Sequence, residues 1–221
     1  MAAADRAGDC RLAGGIAEAT ALGPIRGAVD TGVLGYHRPM QVTPTAISDV
    51  LLLRPQQHVD ERGFVAERWR RQAFDAVVGQ AVDFVQHNRS RSRRGVLRGL
   101  HYQLGGPSQG KLVWATQGCV FDVAVDLRRS SKTFGRWVGT ELSADNACQL
   151  WIPPGFAHGF FVLSESADVD YKLTAQFDPA QQHSLRWDDP AIAIDWPTGG
   201  AAPLLSARDA SAPGLHGITL P

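Results

Sequence analysis

The 221-residue chain lacks the usual marks of a membrane, nucleic-acid-binding or dinucleotide-binding protein. Its 22 basic and 22 acidic side chains give a formal net charge of zero, so no overall field attracts nucleic acid or an anionic membrane. No apolar run approaches the roughly 20 residues that a membrane-spanning helix needs. Neither a GxGxxG fingerprint nor a phosphate-binding P-loop occurs. We therefore expect no nucleic-acid partner and no membrane partner, and any anion binding must be local.

Cysteine is also scarce, which limits the cellular compartments to consider. Cys10, Cys119 and Cys148 are odd in number and have no CxxC spacing, which argues against a disulfide framework and against a cysteine zinc site. The N-terminus contains Asp5 and Asp9 and lacks an unbroken apolar stretch, so it is a poor signal peptide. These features predict a cytoplasmic protein.

Residues 1–39 differ in composition from the rest of the chain. They are rich in Ala and Gly, contain neither Trp nor Phe, and bury too little apolar surface to offset the entropy of ordering. We expect a flexible N-terminal extension over 1–39, with Met40 as the natural start, and a single domain over 40–221.

Short strands separated by Gly and Pro turns dominate the rest of the pattern. Period-two alternation predicts a strand over 119–127 with one apolar face, and short strands are expected at 150–152 and 160–163. Residues 67–78 have a helical period that ends at Gly79. This pattern predicts an all-β fold, a cupin-like jelly roll with a few short helices, which would hold a small ligand in its mouth.

Two glycine-rich segments, RGVLRGLHYQLGGPSQGK at 94–111 and WIPPGFAHGF at 151–160, each carry one histidine, His101 or His158. An imidazole that titrates near neutrality suits a general base. The alternative for His101 is a core histidine bonded to the backbone. A regular strand over 96–103 would place four residues on one face: Leu97, Gly99, His101 and Gln103.

Three further side chains complete a set suited to proton transfer. Tyr171 alternates with polar residues on the apolar face of its strand, where a packed core tyrosine is the alternative. Lys111 follows Gly110, and a fixed ammonium stabilises an oxyanion that develops on a ketone. Asp209, in LSARDA, taken alone reads as a solvated loop residue.

From Gln41 to Pro213 the chain resembles the dTDP-4-dehydrorhamnose 3,5-epimerase family. The resemblance rests on the two glycine-rich segments and on four others, DERGFVAERW, FVQHNRSRS, VFDVAVDLRRSSKTFGRWVG and LSARDASAP. The resemblance implies a dTDP-sugar substrate, a homodimer with exchanged strands, and no cofactor. It also implies epimerisation at C3 and C5, whose protons are both acidified by the C4 ketone.

The resemblance also implies a role for each candidate. His101 is the base, Asp209 fixes its tautomer, and Tyr171 returns a proton to the opposite face. Lys111 and His158 stabilise the oxyanion. A last group is expected to hold the nucleotide and its diphosphate: Arg62, Glu67, Gln86, Asn88 and Arg98.

Two features leave alternatives open. Arg98 and His101 are three residues apart, so a regular strand points them to opposite faces. Either a bulge at Gly99 reconciles them, or Arg98 serves a neighbouring subunit. The arginine-rich run at 89–94 is read as a solvated loop with one or two arginines near the phosphates, because it lacks interleaved aromatics.

Departures from the family pattern concern specificity. Near the expected nucleotide site, His87, Arg89 and Val65 differ from the residues usual in the family. Near the expected sugar site, Gln176 and Phe177 replace a pair that is often two tyrosines. The rival functions are a C3-only epimerase or keto-isomerase and, in a different class, a non-catalytic sugar-nucleotide binding module. A metal-dependent cupin dioxygenase ranks last, because a cupin metal site needs an HxH pair and the chain has His101 followed by Tyr and Gln.

Overall fold

The computed structural model describes residues 12–14, 40–106 and 108–221, which form mainly antiparallel sheet. Sheet I has the strand order β1-β10-β9-β12-β7-β14, sheet II the order β2-β3-β11-β8-β13-β6, and β4-β5 is a separate hairpin. The strands are β1 Leu12–Gly14, β2 Gln41–Pro44, β3 Leu51–Arg54, β4 Gln57–Asp60, β5 Gly63–Ala66, β6 Gln86–Arg93, β7 Leu97–Gln103, β8 Lys111–Gln117, β9 Cys119–Asp126, β10 Trp137–Ser143, β11 Gln149–Ile152, β12 Phe156–Val162, β13 Ser166–Leu173 and β14 Gln182–Ser184. The expected all-β jelly roll is confirmed.

Helical structure is short and lies at the surface. The helices are α1 Arg71–Val78, α2 Ala207–Ala210 and a 3-10 turn over Leu215–Gly217. The predicted helix is confirmed with a later start, and Gly79 ends it in the left-handed region with φ 79°. None of the helices in the described ranges is long and apolar enough to span a membrane.

Three apolar clusters hold the layers together. The inner cluster lies between the sheets and combines Val113, Leu150 and Val169 of sheet II with Ala124 and Phe160 of sheet I. The outer cluster lies on the far face of sheet I and is covered by the C-terminal segment through Leu185, Ile192, Trp196 and Leu215. A third cluster packs Phe74 of α1 against Trp114 and Trp151 on the far face of sheet II.

Because sheet I is covered on both faces, the prediction of a single apolar face for β9 is wrong. Phe121, Val123 and Val125 belong to the outer cluster, as their alternation suggested. Asp122 and Ala124, which alternate with them along the strand, are also fully buried. Burial of an aspartate there marks the inner side of sheet I as the place to search for chemistry.

A register irregularity in β7 decides which side chains reach that inner side. β7 pairs with β12 through His101↔His158 and Arg98↔Phe160, with a register shift between those two pairs. Gly99 lies there at φ +132°, and a Cβ on it would be only 2.6 Å from the Cα of Gly159. Only glycine fits so close an approach of two backbones.

The irregularity corrects the expected face of β7. Leu97 and Leu100, three residues apart, both pack in the outer cluster, so Leu97 does not share a face with His101. Arg98 and His101 are consequently both free to face the inner side. The register irregularity next to Gly99 fits the first alternative, a bulge, while a role of Arg98 in a neighbouring subunit stays a prediction.

Three further expectations concern the arginine-rich run, the N-terminal extension and the cysteines. The run at 89–94, expected to be a solvated loop, is largely strand β6, and the alternation in RSRSR is the period-two signal of that strand. Residues 12–14 pair with β10, while the rest of the N-terminal extension lies outside the described residues. Cys119 carries a free thiol, whereas Cys148 is disulfide-bonded, which the cysteine spacing did not predict.

Candidate active site

The centre of the candidate site is a hydrogen-bonded pair of His101 and Asp209. The distance from His101 Nε2 to Asp209 Oδ1 is 2.6 Å, and the Asp209 side chain is only 3% exposed while that of His101 is 27% exposed. The neighbours Leu100 and Tyr102 pack in the outer cluster, so His101 points to the inner side. A buried carboxylate that accepts an imidazole N–H fixes the tautomer and leaves the other ring nitrogen available as a base.

Local structure holds Asp209 in this position. The side chain of Ser206 caps α2 by accepting the Asp209 N–H, and the Gly99 N–H reaches Asp209 Oδ2 at 3.5 Å. Burial opposes ionisation of Asp209, but the hydrogen bonds, that with His101 foremost, hold its pKa below the ordinary value. Asp209 is therefore a carboxylate at neutral pH and not the solvated loop residue that its sequence context suggests.

A second histidine–aspartate pair lies beside the first. His158 stands opposite His101 in the strand ladder, and its Nε2 is 2.9 Å from Asp122 Oδ2. Burial lowers the pKa of His158 although Asp122 opposes that shift, so a neutral imidazole is favoured. Asp122 Oδ1 is buried and has no hydrogen-bond partner among the described residues.

Lys111 brings a cation to this cluster from sheet II. Its Nζ donates to the His101 carbonyl at 3.1 Å, and the residue is 6% exposed. Desolvation lowers the pKa of Lys111 to about 8, although the charge of Asp122 opposes the shift. An ammonium buried next to His101 is suited to stabilise an oxyanion formed there.

Tyr171 approaches from the opposite sheet. It packs against the inner cluster from β13, where it pairs with Asn88 of β6 and Val113 of β8. The apolar-face position predicted for it is confirmed. The base candidate and the acid candidate thus lie on two facing sheets, as proton removal and return on opposite faces of a ring require.

A cleft beside His101 is lined by cationic side chains. The cleft has a volume of about 420 Å³ and is lined by Arg93, Arg98, His101, Arg208 and Asp209, among others. Arg98 also donates to Ser92 of sheet II at 2.9 Å, which places it between the two sheets. Guanidinium groups in such a setting suit the oxygens of a diphosphate. Arg93 belongs to the run at 89–94, of which one or two arginines are expected near the phosphates, whereas sequence reasoning missed Arg208, which directly precedes Asp209.

Other predicted binding residues lie elsewhere in this structure. Arg62 sits on the β4-β5 hairpin and pairs with Asp60, and Glu67 pairs with Arg70. Neither is among the residues around His101. Gln86 donates to Asn88 at 3.0 Å and accepts the Phe177 N–H at 2.7 Å.

The unusual His87 and Arg89 face away from this site. Both contact the Asp170 carboxylate, at 3.2 Å and 2.6 Å, while Arg91 pairs with Asp168. Because side chains alternate along β6, this places them on the side opposite to Asn88. Within residues 40–106 and 108–221, no three His, Cys, Asp or Glu side chains lie close enough to share a metal ion.

Comparison with known proteins shows the family to which the chain belongs. Residues 44–217 match the family model described as dTDP-4-dehydrorhamnose 3,5-epimerase. The curated enzyme of that name from Salmonella typhimurium is 54% identical over 174 residues, covering 79% of this chain and 94% of the relative.

Two solved structures are informative. The epimerase RmlC of Legionella pneumophila, in complex with dTDP-4-keto-L-rhamnose, is 48% identical with a TM-score of 0.79, covering 82% of this chain and 97% of that chain. ChmJ of Streptomyces bikiniensis, a 3'-monoepimerase in complex with dTDP-quinovose, is 35% identical with a TM-score of 0.74, covering 78% of this chain and 87% of that chain.

Proposed function

Because the chain belongs to the dTDP-4-dehydrorhamnose 3,5-epimerase family, we propose that it converts dTDP-4-dehydro-6-deoxy-D-glucose to dTDP-4-dehydro-L-rhamnose by inverting C3 and C5. The observation that carries the proposal is the placement of the His101–Asp209 pair on one sheet and Tyr171 on the facing sheet. A sugar ring bound between the sheets presents one face to each.

Each inversion is a pair of proton transfers. His101 takes the proton from a carbon next to the C4 ketone, and the electron pair of that C–H bond forms an enolate. Tyr171 O–H then delivers a proton to the other face of the carbon. Water afterwards removes the proton from His101 and restores that of Tyr171, so each inverted carbon gains one solvent proton.

The surrounding residues supply electrostatic stabilisation and binding energy. Lys111 as an ammonium stabilises the enolate oxygen. The single N–H of the neutral His158 is directed to Asp122, so His158 is not assigned that role. Arg98, with Asn88 further along the inner side, is proposed to hold the nucleotide diphosphate, so that remote binding positions the reacting ring. The chemistry needs no cofactor, and the prediction of a metal-free site stays a prediction.

A C3-only epimerase is the second candidate, because ChmJ is described as a 3'-monoepimerase on the same scaffold. The 3,5-epimerase from Salmonella typhimurium is more similar in sequence, which favours double inversion. Gln176 and Phe177 lie on the segment that follows the Tyr171 strand, and they are the first residues to examine if only one carbon reacts.

Incubation with dTDP-4-dehydro-6-deoxy-D-glucose in D2O distinguishes these functions. We expect two deuterons per product molecule, at C3 and C5, measured by mass spectrometry and located by NMR. One deuteron at C3 would identify a monoepimerase. Binding without any exchange would indicate a non-catalytic sugar-nucleotide protein and would refute the proposal.

Lys111 gives the reaction a characteristic pH dependence. Since burial lowers its pKa to about 8, the ammonium is lost above that pH and kcat is expected to fall, approaching tenfold per pH unit. The folded pKa lies below the ordinary 10.5, so the unfolded chain binds more protons between these values. The free energy of unfolding should therefore rise as the pH increases from about 8 to 10.5.

The variant Lys111→Met tests both effects. It should lose the alkaline limb of the rate profile, and its unfolding free energy at pH 7 should exceed that of the wild type by on the order of 1–3 kcal/mol, because a buried charge is removed. Rate profiles and urea denaturation at several pH values measure the two quantities. An alkaline limb that persists in Lys111→Met would assign the titration to another group.

The hairpin β4-β5 supports the proposed homodimer. Among the described residues it forms no ladder with either main sheet, and it carries the exposed apolar residues Val59, Phe64 and Val65. A hairpin of this kind is only marginally stable alone, so we propose that it packs on a second copy of the chain. Light scattering should give twice the chain mass. Cytoplasmic location stays a prediction, which cell fractionation would check.

A further inference from the structure

A non-strand segment crosses from one sheet to the other at the end of the candidate site. This segment, residues 174–178, is called the strap, and it leads from the end of β13 in sheet II toward β14 in sheet I. Thr174 N–H is bonded to the Gly110 carbonyl, but the strap forms no strand. Because the strap is not part of a β-ladder, its other backbone N–H and C=O groups must bond to side chains or to water.

Three glutamine side chains bind the strap backbone. Gln109 Nε2 donates to the Ala175 carbonyl at 3.0 Å, and Gln86 Oε1 accepts the Phe177 N–H at 2.7 Å. Gln103 makes two such bonds, since its Nε2 donates to the Gln176 carbonyl at 3.0 Å and its Oε1 accepts the Asp178 N–H at 3.1 Å. A carboxamide that both donates and accepts in this way replaces one rung of a β-ladder.

The position of Gln103 connects the strap to the reacting groups. Gln103 lies two residues after His101 on β7, on the same side of the strand. The strap begins three residues after Tyr171, and Leu173 just before it pairs with Lys111. Gln103 therefore ties the strand of the base to the chain segment that continues from the strand of the acid.

We propose that Gln103 is a positioning residue, which clamps the strap so that the singly inverted ketone stays between the two sheets until its second carbon reacts. This inference rests on the proposed double epimerisation. After the first inversion the intermediate either exchanges its second proton or leaves. A loosened strap at the end of the site favours departure, so the clamp determines the ratio of double to single inversion.

The variants Gln103→Ala and Gln103→Glu test the clamp against Gln117→Ala. Gln117 is a matched control, because its side chain accepts a hydrogen bond from Arg91 at the other end of β8. In D2O at low conversion, Gln103→Ala should raise the ratio of singly to doubly deuterated product about tenfold, since two hydrogen bonds to the strap are lost. Gln103→Glu keeps the acceptor for Asp178 and should show a smaller increase. Gln117→Ala should match the wild type.

Chymotrypsin supplies a readout that does not depend on activity. Phe177 is 46% exposed on the strap, and cleavage after it should be about tenfold faster in Gln103→Ala than in the wild type or Gln117→Ala. Unchanged cleavage would show that Gln103 does not hold the strap. Faster cleavage with an unchanged deuterium ratio would reduce Gln103 to a structural role, and either result overturns the proposal. If the wild-type protein exchanged no deuterium, the proposed function itself would be refuted. The chymotrypsin cleavage rates do not depend on catalysis, so they show separately whether Gln103 holds the strap.

Discussion

The variant His101→Asn is expected to lose about 10³- to 10⁴-fold in kcat, the upper part of the range for removal of a general base. Asparagine keeps a polar side chain next to Asp209 but has no nitrogen that can take a proton from carbon. Deuterium exchange at both C3 and C5 should fall together, because one base serves both positions. Mass spectrometry of the sugar after long incubation in D2O measures the loss.

A companion and a control separate the chemistry from folding. Asp209→Asn keeps His101 but removes the charge that holds its tautomer, so it should lose a smaller part of the rate. His216→Asn changes an exposed histidine near the C-terminus and should leave exchange unchanged. A His101→Asn variant that retains more than about a tenth of the wild-type rate would place the base elsewhere.

Local sequence pattern was sufficient for some of these residues and insufficient for others. Tyr171 could be assigned to an apolar face because strand alternation is a local property that survives in the folded β13. Asp209 could not be recognised from its surroundings, because its partner His101 is 108 residues away and only the fold brings them together. The resemblance to a family supplied that pairing, and the 2.6 Å contact agrees with it.

The wrong predictions for β9 and β7 have related physical causes. A period-two pattern shows neither whether a second sheet covers a strand nor where its register shifts. Asp122 alternates with apolar residues along β9, a pattern typical of a strand with only one buried face, yet the second sheet buries Asp122 as well. Leu97 was assigned to the His101 face because the pattern assumes an unbroken register. In both cases the exception lies at the candidate site, where local rules are most often broken.

Charge placement on β6 was also beyond local reasoning. Alternation places Arg89 and Arg91 on one side of the strand, but it does not say which side faces the site. Their partners Asp170 and Asp168 lie on the neighbouring strand, 81 and 77 residues away in sequence. These pairs neutralise Arg89 and Arg91, whereas Arg93 of the same run lines the cationic cleft together with Arg98 and Arg208.

The variant Tyr171→Phe is expected to uncouple proton exchange from inversion. Phenylalanine keeps the ring that packs on the inner cluster, so the fold should persist, but the proton donor on that side is gone. His101 still removes a proton and can return a solvent deuteron only to the face from which it took one. Inversion should fall about 10²- to 10³-fold while deuterium still enters the starting sugar with retained configuration.

Tyr102→Phe is the matched control for that result. Its hydroxyl donates to the Thr219 carbonyl at 2.8 Å on the outer side of β7, so its loss should lower the free energy of unfolding by about 1 kcal/mol and leave inversion intact. NMR of the product configuration, read beside the deuterium count, distinguishes the two variants. If Tyr171→Phe lost exchange and inversion equally, Tyr171 would be needed for proton removal as well, and the assignment of one sheet to removal and the other to return would fail. Retained exchange with lost inversion would instead show that the two faces of the sugar are served by the two sheets separately.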